Sequence, residues 1–233
     1  MKRTLLILAV ITCGMMMSCN PTCDCEHTCD HVCDCGDNCG NNEPDPGENS
    51  TTINGYEYVD LGLPSGIKWA THNVGATTPE DYGEYYAWGM TTTPVDGNYN
   101  EANCVTFEKP LSDISGNSQY DVARAKWGST WRMPTRTELQ EIHNKCTWEA
   151  VVQNGVAGCK VTGPNGNHIF MPLAGYYSES TLNHVEYRGY YWSSNNYNDT
   201  HKNASDIDVD DDGSKHLNYG TRYHGQSIRP VSD

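Results

Sequence analysis

Phenylalanine is nearly missing from this chain: Phe107 and Phe170 are the only two in 233 residues. Leu, Ile and Val are also thin beyond the N-terminus. A core must therefore come from Trp69, Trp88, Trp127, Trp131, Trp148 and Trp192 together with many Tyr, side chains that bury large areas but keep a polar tip to satisfy. Basic residues are scarce too. Fifteen Lys and Arg face 30 Asp and Glu, a net charge of −15, and such a surface repels phosphate backbones, which excludes nucleic acid as a partner. No apolar run after residue 19 is long enough for a membrane helix. No G-x-S-x-G, H-E-x-x-H or glycine-rich phosphate loop occurs, and no cysteine follows Cys159. These absences remove the commonest signatures of serine hydrolases, zinc peptidases and nucleotide-binding loops. His72, His143, His168 and His184 are scattered and fit structural roles. The chain is predicted not to be an enzyme and to need no cofactor.

What is present begins with an address. Lys2 and Arg3 precede a short apolar stretch, Thr4–Ile11, and residues 1–19 have the layout of an export signal. Met16-Met17-Ser18-Cys19 resembles the bacterial lipobox, which makes Cys19 the predicted lipidation site. Cys13 follows a poorer residue for cleavage, and ordinary signal-peptidase processing is the alternative. Removing residues 1–19 deletes two basic residues and no acid, so the net charge moves from −15 to −17. Two or more acyl chains at Cys19 would hold the protein stably on a membrane. The implied location is the cell envelope, as a surface-exposed outer-membrane lipoprotein.

Residues 20–40 form a cysteine-rich neck. Cys23, Cys25, Cys29, Cys33, Cys35 and Cys39 lie close together, with His27 and His31 among them. Two chemistries remain open. Export favours three disulfides, whereas close-packed thiolates and imidazoles could hold zinc or a softer metal. Residues 41–50 (NNEPDPGENS) are a linker by composition.

Residues 51–233 are long enough for one sizeable core. The strongest local signal is Thr135, an N-cap candidate, with Glu138 three residues on, Pro134 before it, and Leu139, Ile142 and Cys146 at helical spacing. This predicts a helix from Thr135 to about Lys145. Ser118–Trp127 is a second short helix candidate. Strands are expected at 56–61, 66–71, 148–153, 158–162, 168–171, 189–193, 204–209, 214–219 and 226–230. Asn154-Gly155, Pro164-Asn165-Gly166 and Asp211-Asp212-Gly213 supply turns. Two short helices among many short strands give an α+β class. Cys104, Cys146 and Cys159 are most simply one disulfide and one buried thiol.

Asp208-Val209-Asp210-Asp211-Asp212-Gly213 matches the start of a calcium loop, with Asp208, Asp210 and Asp212 as candidate ligands. The twelfth position is Tyr219 rather than Glu, so a hydrated hairpin is the other reading. Asp206, Asp208 and Asp210 alternate and should share one strand face.

Three blocks carry a family resemblance: Tyr58–Ala70 (YVDLGLPSGIKWA), Trp131-Arg132-Met133-Pro134-Thr135 with Glu138 and Leu139, and Tyr190–Ser194 followed by Ser227-Ile228-Arg229-Pro230-Val231. In order, they resemble the Fibrobacter succinogenes major paralogous domain of exported Bacteroidota proteins, whose members are similar to C-type lectin-like folds. The resemblance implies a C-type lectin-like domain. It also implies a binding face built from the last strands and loops, at Asn195, Asn196, Tyr197, Asn198, Asp199, His201, Asn203, His216, Asn218, Tyr219, Tyr223 and His224. Tyr and Asn are adaptable contact residues, and their abundance here is similar to that of retroelement-diversified receptors. The implied function is a surface lipoprotein that presents a binding module for a protein or glycan. The alternatives are an accessory subunit of an envelope complex or fibre, and a divergent relative of formylglycine-generating enzymes. The last of these lacks the C-terminal cysteine pair that such enzymes use for copper. The calcium loop of sugar-binding lectins is also absent.

Overall fold

Asn54 and Gly55 both take positive φ, 50° and 84°, and fold Ser50–Ile53 (β1) back onto Tyr56–Asp60 (β2) as an antiparallel hairpin, the geometry an Asn-Gly pair favours. In this computed structural model the described residues are 50–233; the export signal, Cys19 and the six neck cysteines lie outside them. Lys68–Ala70 (β3) pairs with β2 in turn.

The chain from 71 to 121 has one regular element, a 3-10 turn at Glu101–Asn103 capped by the Asn100 side chain. Isolated bridges and aromatic burial hold the remainder. The first helix, α1, is Val122–Trp127, shorter than the expected 118–127. Asn117 is the reason. Its side chain and carbonyl accept the N–H groups of Gln119, Tyr120 and Asp121 in a turn, so helix begins only after the Asp121 cap. That carboxylate accepts N–H groups from Gly116, Arg124 and Met133, and burial raises its pKa. The second helix, α2, is Arg136–Lys145, with the full capping box between Thr135 and Glu138 and with Leu139 and Ile142 buried.

Thr147–Gln153 (β4), Val156–Thr162 (β5) and His168–Pro172 (β6) form an antiparallel sheet in that order. Asn154-Gly155 turns β4 into β5 with φ of 48° and 85°. Tyr176–Ser178 (β7) and Thr181–Asn183 (β8) make a small ribbon. Arg188–Asn196 (β9), Asn203–Asp210 (β10) and Lys215–Thr221 (β11) form the sheet that carries the site, with β10 in the middle. Val231–Ser232 (β12) pairs with β3, so the last strand closes the first sheet. The described residues are thus α+β, mostly short antiparallel strands with two α-helices.

The expected strand at 226–230 does not form. Gln226 and Ser227 make only single bridges, to Tyr86 and Tyr191, and Pro230 has no N–H to extend a ladder. Arg229 turns inward there. Its guanidinium, 1 % exposed, donates to Asn73 Oδ1 at 2.9 Å, to the carbonyls of Ala70 and Thr71 at 3.1 and 2.9 Å, and to that of Phe170 at 2.9 Å. Burial lowers its pKa to about 10. It ties the first sheet to β6 without a carboxylate partner.

All six tryptophans are buried. One core cluster joins Trp69 and Trp148 to α2, β5, β6 and β10; another gathers Trp88, Trp127, Trp131 and Trp192. Four indole N–H groups donate to backbone carbonyls: Trp88 to Ser193, Trp131 to Ile53, Trp148 to Ile142 and Trp192 to Tyr86. The polar tip of these four is thereby satisfied, as a core rich in indoles demands, whereas the buried Trp69 Nε1 has no hydrogen-bond partner among the described residues.

The three domain cysteines correct an expectation. Cys104, Cys146 and Cys159 are all free and buried, with no disulfide among them. Cys104 sits in a third cluster with Tyr85 and Tyr99, whereas the other two belong to the first. The Cys104 thiol contacts Thr106 Oγ1 at 3.4 Å and the Arg222 carbonyl at 3.5 Å, and the Cys159 thiol donates to the Asp210 carbonyl at 3.7 Å.

Candidate functional site

Alternation along β10 creates the site. Ile207 and Val209 point into the first core cluster. Asp206, Asp208 and Asp210 therefore share the opposite face, as period-two geometry requires. Antiparallel register sets Asn218 of β11 opposite Asp206, Tyr190 of β9 opposite Asp208, and Arg188 opposite Asp210.

Three carboxylates in a row need partners, and two of them share one. Arg188 bridges two of them, with Nη1 3.7 Å from Asp208 Oδ2 and Nε bonded to Asp210 Oδ1. Asp208 Oδ2 also accepts from Asn218 Nδ2 at 3.4 Å, and burial raises its pKa. Asp210 Oδ2 accepts from Ser214 Oγ at 3.3 Å and lies 3.6 Å from His216 Nε2. Asp212, exposed in the turn, accepts from the backbone and hydroxyl of Ser214, which lowers its pKa. Asp208 and Asp210 thus share Arg188, and Asp210 and Asp212 share the Ser214 hydroxyl; among the described residues no group of three or more His, Cys, Asp or Glu is arranged to hold a metal ion.

Asp206 differs. It is 2 % exposed and lies at the bottom of a slot of about 200 Å³. Its Oδ2 accepts from Gln226 Nε2 at 2.9 Å, while its Oδ1 and Gln226 Oε1 have no hydrogen-bond partner. Burial, reinforced by Asp208 and opposed by Gln226 and Arg136, raises the Asp206 pKa to about 7. Aromatic rings make the walls. Tyr176 meets Tyr190 edge to face at 4.9 Å and His224 at 5.0 Å. Burial lowers the His224 pKa, which leaves a neutral imidazole against the slot. Asn218, Tyr219, Gly220 and Thr221 of β11 complete the lining. Gly220 is required there. A Cβ would stand 2.4 Å from Gln226 Nε2 and 2.8 Å from the Trp192 ring.

Beside the slot, Tyr219 stacks on Tyr197 with ring centroids 4.0 Å apart and planes 18° from parallel. Both rings are nearly half exposed, at 47 % and 44 %. Exposed stacked tyrosines beside a polar slot offer a contact surface with little side-chain entropy left to lose.

The residues expected on the binding face divide in two. Asn218, Tyr219 and His224 line the slot, and Tyr197 stacks at its edge. Asn195, Asn196 and Asn198 are committed to the frame. Asn195 Oδ1 accepts the Arg136 N–H at the start of α2 at 2.7 Å. Asn196 Oδ1 accepts from buried Arg222 at 2.7 Å, and Asn198 accepts from Thr200 in the loop. His201, at φ 56°, accepts the Glu108 N–H through its carbonyl. Asp199 is exposed in the same loop. Tyr223 packs against Phe107 and His224. Sequence reasoning missed Tyr176, Tyr190, Asp206 and Gln226 as slot residues. Only Asp206 left a trace, as the first of the alternating acids.

No family model, curated protein or solved structure matches this chain.

Proposed function

We propose that this chain is a non-catalytic recognition protein with a C-type lectin-like domain. The slot over Asp206 and the Tyr197–Tyr219 pair contact a protein or glycan ligand. One observation carries the reading: a stacked, half-exposed tyrosine pair borders a slot whose floor keeps two buried acceptors unsatisfied. Buried polar groups are normally paired, and orphans lining a concave site suit a ligand that completes them. The order of the family-like blocks supports the lectin-like assignment. The export signal and lipobox support anchoring through Cys19 on the outer cell surface. The buried thiols favour binding over chemistry, because burial raises the Cys146 and Cys159 pKa values to about 11 and about 12, away from the reactive thiolate.

Glycan and protein arrays probed with the full chain test this function. Wild type should bind a restricted set of ligands, and Tyr219→Ala should lose that set while keeping the wild-type melting temperature. Unchanged binding by Tyr219→Ala would move the contact surface elsewhere.

One feature favours the accessory-subunit reading. β4 ends its sheet, carries Val152 at 72 % exposure, and borders an apolar groove that includes Ala157 and Leu173. Such an edge can accept a partner strand. A stoichiometric partner that co-purifies from membranes and is lost on Val152→Lys would establish that role.

A further inference from the structure

Deepening the recognition reading, on which this inference rests, we propose that the slot takes a primary ammonium group on an alkyl stem, supplied by a lysine side chain of a protein partner. The floor sets the sign of the charge. Gln226 Oε1 and, in the ionised carboxyl, Asp206 Oδ1 are acceptors, both buried and both unpartnered. A ligand that completes them must bring donors, and an ammonium brings three with no acceptor. Asp206 takes part in no ion pair among the described residues, because the neighbouring cations are held elsewhere. Arg188 is bound by Asp208 and Asp210, and Arg136 donates to the Asn218 carbonyl. An anion would meet Asp206 and Asp208 together. Above pH 7, where Asp206 is ionised, a neutral hydroxyl would satisfy the acceptors but leave the carboxylate charge uncompensated.

The walls set the shape. Tyr176, Tyr190 and Tyr219 line the slot and burial disfavours the charged form of His224, while the neighbouring guanidiniums, Arg136 and Arg188, are engaged by the Asn218 carbonyl and by Asp208 and Asp210. Aromatic faces attract cations, more strongly where water is excluded. A volume of about 200 Å³ is below the roughly 300–1,000 Å³ typical of pockets for whole small molecules. It suits one side chain entering from a larger partner. The net charge of −15 draws a basic partner toward the domain before docking.

The test uses the full chain, titrated with Nα-acetyl-lysine N-methylamide and followed by amide NMR. Shifts should concentrate at Gly220, Thr221 and the Gln226 side-chain amide. Asp206→Asn should weaken the affinity roughly 10- to 100-fold, the range for losing a charge-assisted hydrogen bond. Gly220→Ala, which fills the floor, should abolish binding, and counts only if its own amide spectrum away from the slot keeps the wild-type pattern. The norleucine analogue, which keeps the stem without the charge, should not bind. The proposal is overturned by equal binding of norleucine or of the trimethyl-lysine analogue, which lacks N–H donors. Tighter binding of glucosamine than of the lysine analogue, or no shifts with lysine, also overturns it. Failure with lysine alongside array ligands that depend on Tyr219 would remove the ammonium assignment and leave the recognition function standing. Failure of both would remove both.

Discussion

Arg132 forks onto Glu138. Nη1 and Nη2 reach the two carboxylate oxygens at 2.9 and 2.7 Å, and the same Glu138 Oε2 accepts the Thr135 N–H at 2.7 Å. One carboxylate thus closes the capping box of α2 and anchors a half-buried arginine, which also reaches Asp233 Oδ1 at 2.6 Å near the C-terminus. Both partners are only 12–13 % exposed at the side chain, so solvent screens the pair less than a surface bridge.

Glu138→Ala should therefore cost more than a lost cap. Removal of an N-terminal capping interaction costs about 1 kcal/mol, and a partly buried guanidinium left with Asp233 as its one carboxylate partner among the described residues adds roughly 1–3 kcal/mol. Urea denaturation should show a sum of about 2–4 kcal/mol at unchanged m-value. Arg132→Lys should recover little of the pair, because an ammonium cannot make the two-pronged contact. A loss under about 1 kcal/mol for Glu138→Ala would mean that the helix start is held by packing alone.

Arg229 makes the sharper case. Its four hydrogen bonds go to one amide oxygen and three backbone carbonyls spread over the first sheet and β6. Arg229→Lys keeps the charge but cannot span those positions. It should destabilise the domain by about 3–5 kcal/mol, the range for breaking a buried charged network. Arg229→Met should be comparably damaging through the carbonyls it strands. Thermal melts of the two variants, set beside the surface control Lys145→Met, check this. A melting temperature for Arg229→Lys within a degree or two of wild type would refute the keystone role.

How much of this was legible beforehand depended on how local each feature is. The Thr135–Glu138 box, the Asn154-Gly155 turn and the burial of six tryptophans are set within a few residues or by side-chain size alone. Asp206, Tyr176 and Gln226 are distant in sequence and meet only once β9, β10 and β11 pair and residues 222–230 cross back beneath them. Nothing local marks that crossing, and the run at 226–230 has the composition of a strand although Arg229 and Pro230 prevent one. Asn195 and Asn196 looked like contact residues because Asn is common in both recognition loops and helix caps. Only the structure separates the two uses, through Arg136 and Arg222. An odd number of cysteines likewise says nothing about which thiols come near one another.

The thiols give a direct chemical test. Burial raises the Cys104 pKa, and it raises those of Cys146 and Cys159 to about 11 and about 12. At neutral pH all three are protonated and shielded, so alkylation by iodoacetamide should be negligible in the native protein. Peptide mapping should find Cys104, Cys146 and Cys159 unlabelled before denaturation and fully labelled after it, without reductant. A reductant requirement for any of them would mean that it is disulfide-bonded.

Asp206 should set a pH dependence of stability with a definite sign. Its folded pKa of about 7 stands above the ordinary 3.8. Below pH 4 it is protonated in both states and contributes nothing. As pH rises from about 4 to 7, the unfolded chain releases the proton while the folded chain keeps it, so folding becomes less favourable. Above pH 7 the cost is constant. A shift of about three units corresponds to at most on the order of 4 kcal/mol. Asp208 and Asp121 act in the same direction, and Asp60, Glu80 and Glu84, whose pKa values are lowered, act oppositely. The informative quantity is therefore the difference between wild type and Asp206→Asn. The two should be nearly equally stable at pH 4, and the variant should become the more stable by roughly 2–4 kcal/mol at pH 8. Denaturant titrations at half-unit pH steps would trace this divergence. A constant difference from pH 4 to 8 would show that Asp206 titrates normally and that the slot floor is wetter than its burial implies.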